Sequence, residues 1–240
     1  MKQAMIFAAG LGTRLKPLTD TMPKALVRVG GEPLLWHVVQ KLKAAGYERI
    51  VVNVHHFAQQ IVDYLKANDN FGLDIRISDE SDQLLETGGG IKKALPLFDP
   101  QEPILIHNVD ILSNLDLTQL PMDTPLLMVS QRQTKRYLLF DDDMRLQGWT
   151  NIETGEVKGN ISSLSPLSPL KKLAFSGIHI FHPSLSPLLA EWPDRFPIMD
   201  FYLKACGSHL IRGYEASGLR LLDVGKLDTL EEADKFIGTL

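Results

Sequence analysis

Three largely apolar runs, residues 5–9, 50–54 and 104–106, constrain this chain more than any other feature. Each is bounded by polar residues, glycine or proline, as strands covered on both faces of a parallel sheet are. Helical patterns lie between them. Leu34, Leu35, Val38, Val39 and Leu42 fall on one helical stripe, with Pro33 suited to the first turn and Gly46 to the C-terminal cap. Residues 57–66 predict a second helix, and residues 90–97 a third that Pro96 ends. A β-α-β-α-β order needs right-handed crossovers. The pattern therefore predicts an α/β fold built on a doubly wound, mostly parallel sheet.

The second half reads differently. Short strands are expected at 126–130, 136–140 and 173–181, and residues 150–169, rich in Ser, Pro, Gly and Asn, read as a mobile loop or lid. Residues 228–237 predict an amphipathic helix with Leu230, Ala233, Phe236 and Ile237 inward. The change near residue 120 divides a single domain of 240 residues into a nucleotide-binding half, 1–120, and a substrate half, 121–240, with a smaller β region.

Composition excludes several function classes. A net charge of −4 without a long Lys/Arg run gives no broad surface for nucleic acid. No stretch approaches the roughly 20 apolar residues that span a bilayer, and the run at 4–9 is too short for a signal-peptide core. A soluble, cytoplasmic protein is the expectation. The one cysteine, Cys206, permits no intrachain disulfide and argues against a cysteine zinc site. The seven histidines show no metal-binding spacing, and no Gly-x-Ser-x-Gly elbow is present.

Chemistry concentrates after the first apolar run. Gly10 and Gly12 let the backbone approach a phosphate chain at the carboxyl end of a strand, and Arg14 and Lys24 add positive charge nearby. A dinucleotide fingerprint would need glycine where Leu15 stands, and Pro17 and Pro23 oppose the helix that should follow. P-loop spacing is absent as well. The run at 104–106 leads to Asp110, and a second strand-like run at 221–222 leads to Asp223. Carboxylates so placed suit Mg²⁺, which takes one or two of them together with phosphate oxygens and water.

Gly10-Leu11-Gly12-Thr13-Arg14-Leu15-Lys16-Pro17-Leu18-Thr19, followed by Pro23-Lys24-Ala25-Leu26, resembles the signature of the sugar-phosphate nucleotidyltransferases. With Glu86-Thr87-Gly88-Gly89-Gly90, the chain is most similar to their N-acetylmuramate 1-phosphate uridylyltransferase branch. The resemblance implies a Rossmann-like fold and transfer of a nucleotidyl group from a nucleoside triphosphate, UTP favoured, to a sugar 1-phosphate. It implies that Ala8, Gly10, Gly12 and Thr13 wrap the triphosphate, that Arg14 stabilises the leaving pyrophosphate and that Lys24 contacts the reacting phosphates. Asp110 and Asp223 would share Mg²⁺, and Gly88 with Gln83 or Glu80 would read the base. Ser176, Gly177 and Asp200 would meet the sugar phosphate. Guanylyl or thymidylyl transfer to a hexose 1-phosphate, and a non-catalytic nucleotide-sugar sensor, remain the alternatives. The chain also departs from the family pattern. Val109 stands where glycine is usual before the first aspartate, Lys226-Leu227 replaces Thr-Pro after the second, and no Glu-Lys-Pro tripeptide precedes the substrate strand.

Overall fold

The computed structural model describes residues 1–159 and 170–240. Strand β1 (Gln3–Phe7) is fully surrounded: Ala4 and Ile6 enter one core cluster and Met5 the other. Two short strands, β2 (Arg28–Val29) and β3 (Glu32–Pro33), form a small hairpin that leads into α1 (Leu34–Ala44). The predicted stripe of α1 is buried, each of its five apolar residues at 0–1% exposure. Burying a side chain of that size contributes about 1.5–3 kcal/mol. Gly46 closes the helix region at φ +80, a left-handed conformation that glycine adopts at no steric cost.

The parallel part of the sheet forms as expected. β1 pairs with β4 (Arg49–Val54), which pairs with β5 (Asp74–Asp79) beyond α2 (Ala58–Ala67). On its other side β1 pairs with β6 (Ile104–Asn108). The chain thus steps outward from β1 to β5, then returns across β1 to add β6. Where the strand order reverses, the carboxyl ends of β1 and β6 diverge and open a crevice. Helices α1 and α2 cover one face, and α3 (Glu86–Ala94) the other.

The strands after β7 are mostly antiparallel. After β7 (Ile111–Ser113) come β8 (Leu126–Ser130), β9 (Arg136–Phe140), β10 (Leu146–Asn151) and β11 (Val157–Gly159). The long β12 (Lys171–Phe181) pairs antiparallel with β6, β8 and β9, so it joins the two halves into one sheet. Short turns replace crossover helices here, which is why the strands run antiparallel. α4 (Ser186–Ala190) and α5 (Ile198–Ala205) pack on the α3 side, and β13 (Arg212–Glu215) lies parallel to β8.

Two sequence expectations change. The third helix begins at Glu86 rather than Gly90, and its last turn, Leu95–Leu97, tightens to 3-10 geometry through Pro96. Within 150–169, Thr150 and Asn151 belong to β10 and residues 157–159 form β11, while residues 160–169 lie outside the described residues. The strand carrying Asp223, β14 (Leu221–Asp223), is not in the main sheet. It pairs with β7 in a separate ribbon, directly after Asp110. The C-terminal helix α6 (Leu230–Ile237) buries Ala233 against the α1 side of the core.

Candidate active site

A cleft of about 440 Å³ opens at the carboxyl ends of β1 and β6. Residues 7–14, Lys24, Asn53, Glu80, Glu86, Thr87, residues 108–110 and Gly225 contribute to its walls. Ala8, Gly10, Gly12, Thr13, Arg14, Lys24 and Asp110 are therefore brought together on one cavity from segments up to a hundred residues apart.

The glycine loop is held by its own bonds. Gly12 has φ +62, and its carbonyl accepts from the Leu15 amide at 2.8 Å and the Thr19 hydroxyl at 2.9 Å. A Cβ there would meet Thr19 and the Lys24 stem at 2.9 and 3.0 Å, so the close approach itself requires glycine. At the base of the loop, Asn53 Oδ1 accepts from the Ala8 and Ala9 amides at 2.8 and 3.3 Å. Asn53 Nδ2 donates to Glu80 Oε1 at 2.8 Å, and Glu80 Oε2 accepts from the Leu85 amide at 3.2 Å. One buried amide thus ties β1, β4 and the loop after β5 into a single frame. Since the Ala8 amide is already engaged by Asn53, that N–H is not directed at a ligand.

The acidic side is built by the β7–β14 ribbon. Asp110 follows β6, and its carbonyl accepts from the Val224 amide at 2.8 Å, which clamps the two aspartate segments together. Lys24, largely buried, donates to the Asp110 carboxylate. Asp223 is exposed at the end of β14, yet its carboxyl is pushed up, first by the protein packed on its inner side and then by the charge of Asp110. Lys24, Arg14 and Arg132 pull in the opposite direction. A Cβ at Gly225 would lie 2.8 Å from Asp223 Oδ1 and 2.9 Å from Arg14 Nη2, so Arg14 and Asp223 converge over that bare backbone. Among the described residues no group of three or more His, Cys, Asp or Glu side chains could hold a metal. Two mutually repelling carboxylates, with a lysine already drawn to one, still fit a cation that takes its other ligands from phosphate and water.

Val109 sits in the core at 4% exposure without a positive φ, and its amide donates to the Phe7 carbonyl at 3.2 Å. The β-branched residue is therefore accommodated without backbone strain.

Other sequence-derived residues fall elsewhere. Glu80 is fully buried and lines the cleft, whereas Gln83 is exposed and outside its wall. Burial, the largest influence, raises the Glu80 carboxyl above its usual range. Gly88 and Gly89 face the segment entering α5, while Gly90 packs beneath the cleft wall against Glu80. Cβ atoms there would lie 2.1 Å from the Phe196 ring, 2.1 Å from the Asp194 carbonyl and 2.9 Å from Glu80 Oε1 respectively. The Gly88 amide donates to the Phe196 carbonyl at 2.8 Å. Gly88 and Gly89 let α3 press against the segment entering α5, and Glu86 and Thr87 face the cleft instead. Glu86 has φ +62, a strained position for a non-glycine residue, and its carboxylate lies 3.4 Å from Arg195 Nε.

On β12, Ser176 is buried and its hydroxyl has no partner among the described residues. Gly177, at φ +74, packs against the Asn108 amide, which lines the cleft. Asp200 is exposed on the first turn of α5, 4.0 Å from Lys158 Nζ. None of the three is part of the cleft wall itself. Sequence reasoning missed Asn53, Glu86, Thr87 and Asn108. Asn53 carried a signal, a lone amide inside the apolar run of β4. His107 is fully buried and held neutral, its pKa lowered to about 4 chiefly by burial, and its ring bonds the Asn108 carbonyl.

A glycine loop over the switch point, facing a carboxylate pair, is an arrangement built for phosphate chemistry. Residues 3–239 match the Nucleotidyl transferase family, and the chain belongs to it. Over 111 residues it is 51% identical to the N-acetylmuramate alpha-1-phosphate uridylyltransferase of Caulobacter vibrioides, covering 45% of this chain and 46% of that one. It is 47% identical over 117 residues to the enzyme of the same name from Neisseria meningitidis, covering 48% and 50%. The chain spans about half the length of these curated relatives. Its fold matches HddC from Yersinia pseudotuberculosis complexed with GMP-PN at a TM-score of 0.76 and 21% identity, over 99% of this chain and 100% of that one. The architecture is thus Rossmann-like. No helix among the described residues is long and apolar enough to cross a membrane.

Proposed function

We propose that this chain is a cytoplasmic enzyme that transfers a uridylyl group from UTP to N-acetylmuramate 1-phosphate, releasing pyrophosphate. The observation that carries the reaction type is the convergence of the glycine loop, Arg14, Lys24 and Asp110 on one cleft, with the Asp223 segment, itself outside the cleft wall, tied to Asp110 through the Val224 amide. The uridylyltransferase relatives support the choice of base and sugar.

The reaction is a single in-line displacement. An acceptor phosphate oxygen forms a bond to the α-phosphorus as the bond to the β-phosphate oxygen breaks. The nucleophile is already an anion, so no general base is required. The chain's task is to align two polyanions and offset their repulsion. Backbone amides of residues 10–13 cradle the triphosphate, Arg14 meets the charge growing on pyrophosphate, and Lys24 turns from Asp110 to the reacting phosphates. Asp110 and Asp223 would hold Mg²⁺, which when bound neutralises phosphate charge and polarises the α-phosphoryl group.

A second reading rests on Glu80. Its buried carboxylate accepts from the N3–H of uracil or, as readily, from the N–H groups of guanine, so guanylyl transfer is the competitor. Pyrophosphate release with Mg²⁺, crossing UTP, GTP, dTTP, CTP and ATP against four sugar 1-phosphates, decides between them. The expected maximum is UTP with N-acetylmuramate 1-phosphate. A maximum with GTP and mannose 1-phosphate would replace that assignment, and silence across the grid from folded, nucleotide-binding protein would favour a sensor.

A further inference from the structure

The two cations of the glycine loop face the two aspartates across the cleft. Lys24 donates directly to the Asp110 carboxylate and is only 8% exposed. Its stem is held in place. A Cβ at Gly12 would lie 3.0 Å from the Lys24 Cβ, and the turn that begins at Lys24 is closed by the Leu26 amide on the Pro23 carbonyl at 2.9 Å and the Val27 amide on the Lys24 carbonyl at 3.1 Å. Only the far end of this side chain has room to swing. Arg14 and Asp223 are matched more loosely: Asp223 Oδ1 and Arg14 Nη2 lie 2.8 and 2.9 Å from the point where a Gly225 Cβ would stand. The Val224 amide, 2.8 Å from the Asp110 carbonyl, joins the two aspartate segments.

Two positive and two negative groups thus compensate one another. An ammonium bonded to a carboxylate and a divalent cation compete for the same oxygen, and the two positive charges repel at that distance. Breaking a largely buried ion pair from one side is costly, because it leaves a charge alone. A triphosphate removes that cost for the cations, since its oxygens offer Lys24 and Arg14 new charge-assisted bonds in the same cleft. The aspartates are then the groups without a counter-ion, and a divalent cation supplies one.

We propose that Lys24 is a built-in counter-ion that holds the Asp110 carboxylate against divalent cations until a triphosphate draws it across the cleft, so that nucleotide binding assembles the metal site. This rests on the Asp110–Asp223 metal assignment above and is independent of which base or sugar is used. The coupling comes from the chain's own charges and adds to any direct bond between metal and phosphate. It is also reciprocal: a divalent cation bound first displaces Lys24 and favours the triphosphate by the same factor.

The test is a titration with Mn²⁺, which takes the same oxygen ligands as Mg²⁺ and is counted by the paramagnetic resonance signal of the free ion. Without nucleotide, it compares wild type, Lys24→Gln, Lys24→Arg and the double variant Lys24→Gln with Asp110→Asn. Lys24→Gln is expected to tighten Mn²⁺ about tenfold or more, through loss of the repelling charge. Lys24→Arg, which keeps a cation, should stay near wild type, and the double variant should lose the gained site. Thermal unfolding gives a second readout: Lys24→Gln should melt below wild type in EDTA and be raised by Mn²⁺ more than wild type is. Unchanged or weaker Mn²⁺ binding by folded Lys24→Gln overturns the proposal, as does a gain that survives Asp110→Asn. Should Lys24→Gln not fold, Arg14→Gln, at an exposed position, carries the test: it should tighten Mn²⁺ severalfold, and no change overturns the proposal. None of these measurements needs turnover. A silent pyrophosphate assay beside a Lys24-controlled metal site sinks the transfer reading alone, and an active enzyme whose metal affinity ignores Lys24 sinks this inference alone.

Discussion

The two sides of the cleft are made in opposite ways. The triphosphate side is one nearly continuous segment, residues 8–24, closed on itself by bonds from Gly12 to Leu15 and Thr19 and footed on Asn53. The acceptor side is collected from β11, β12 and α5, and its polar groups, Lys158 and Asp200, are exposed and loosely paired. On the proposed reading the first is a preorganised frame for a phosphate chain. The second is a looser surface that would meet the sugar, and it can be re-equipped without disturbing the first.

The largest effect should come from the carboxylate that the two sides share. Asp110→Asn is expected to remove about 3–4 kcal/mol of transition-state stabilisation, a fall of roughly 10²–10³-fold in pyrophosphate release. The melting temperature should stay near wild type; an equally active variant would remove Asp110 from the metal site. Next is the footing of the glycine loop. Asn53→Ala strands the Ala8 and Ala9 amides and one oxygen of Glu80, which should cost about 2–4 kcal/mol in urea unfolding. If the variant unfolds at the wild-type midpoint, the triphosphate side is not the rigid frame described.

Asp200→Asn probes the other side. The carboxylate is exposed and 4.0 Å from Lys158, so its stability effect should stay below about 1 kcal/mol. A severalfold rise in acceptor KM with an unchanged nucleotide KM would place it in the sugar subsite, and no change would leave it a surface residue. The smallest effect concerns Asp223. Its carboxyl titrates above the ordinary aspartate range, so ionising it costs the folded state stability as pH rises through that interval. Asp223→Asn should therefore raise the melting temperature slightly at neutral pH in EDTA. A lower melting temperature for the variant would contradict the charge crowding between Asp110 and Asp223.

Much of the nucleotide half was legible in the sequence. The stripe from Leu34 to Leu42 is the buried face of α1, and the run at 104–106 does deliver Asp110 to the cleft. At Gly88 the spacing marks a close approach but not its partner. Gly88 yields to the Phe196 ring, 108 residues away in sequence, and no local pattern announces that contact. Glu80 and Gln83 were indistinguishable by type. Only the bonds from Asn53 and Leu85 draw Glu80 inward and leave Gln83 in solvent.

By itself the sequence determined the elements whose causes are local: apolar runs that must be covered, stripes at helical period, prolines that stop helices, and a glycine loop whose charges are close along the chain. Tertiary structure decided what depends on distant partners. It set β14 beside β7 rather than in the sheet, so that the Val224 amide ties Asp223 to Asp110, and it brought Lys24 onto the Asp110 carboxylate. Local energies select conformations a few residues at a time. The charge balance of a cleft is a sum over groups that meet only after the chain has folded.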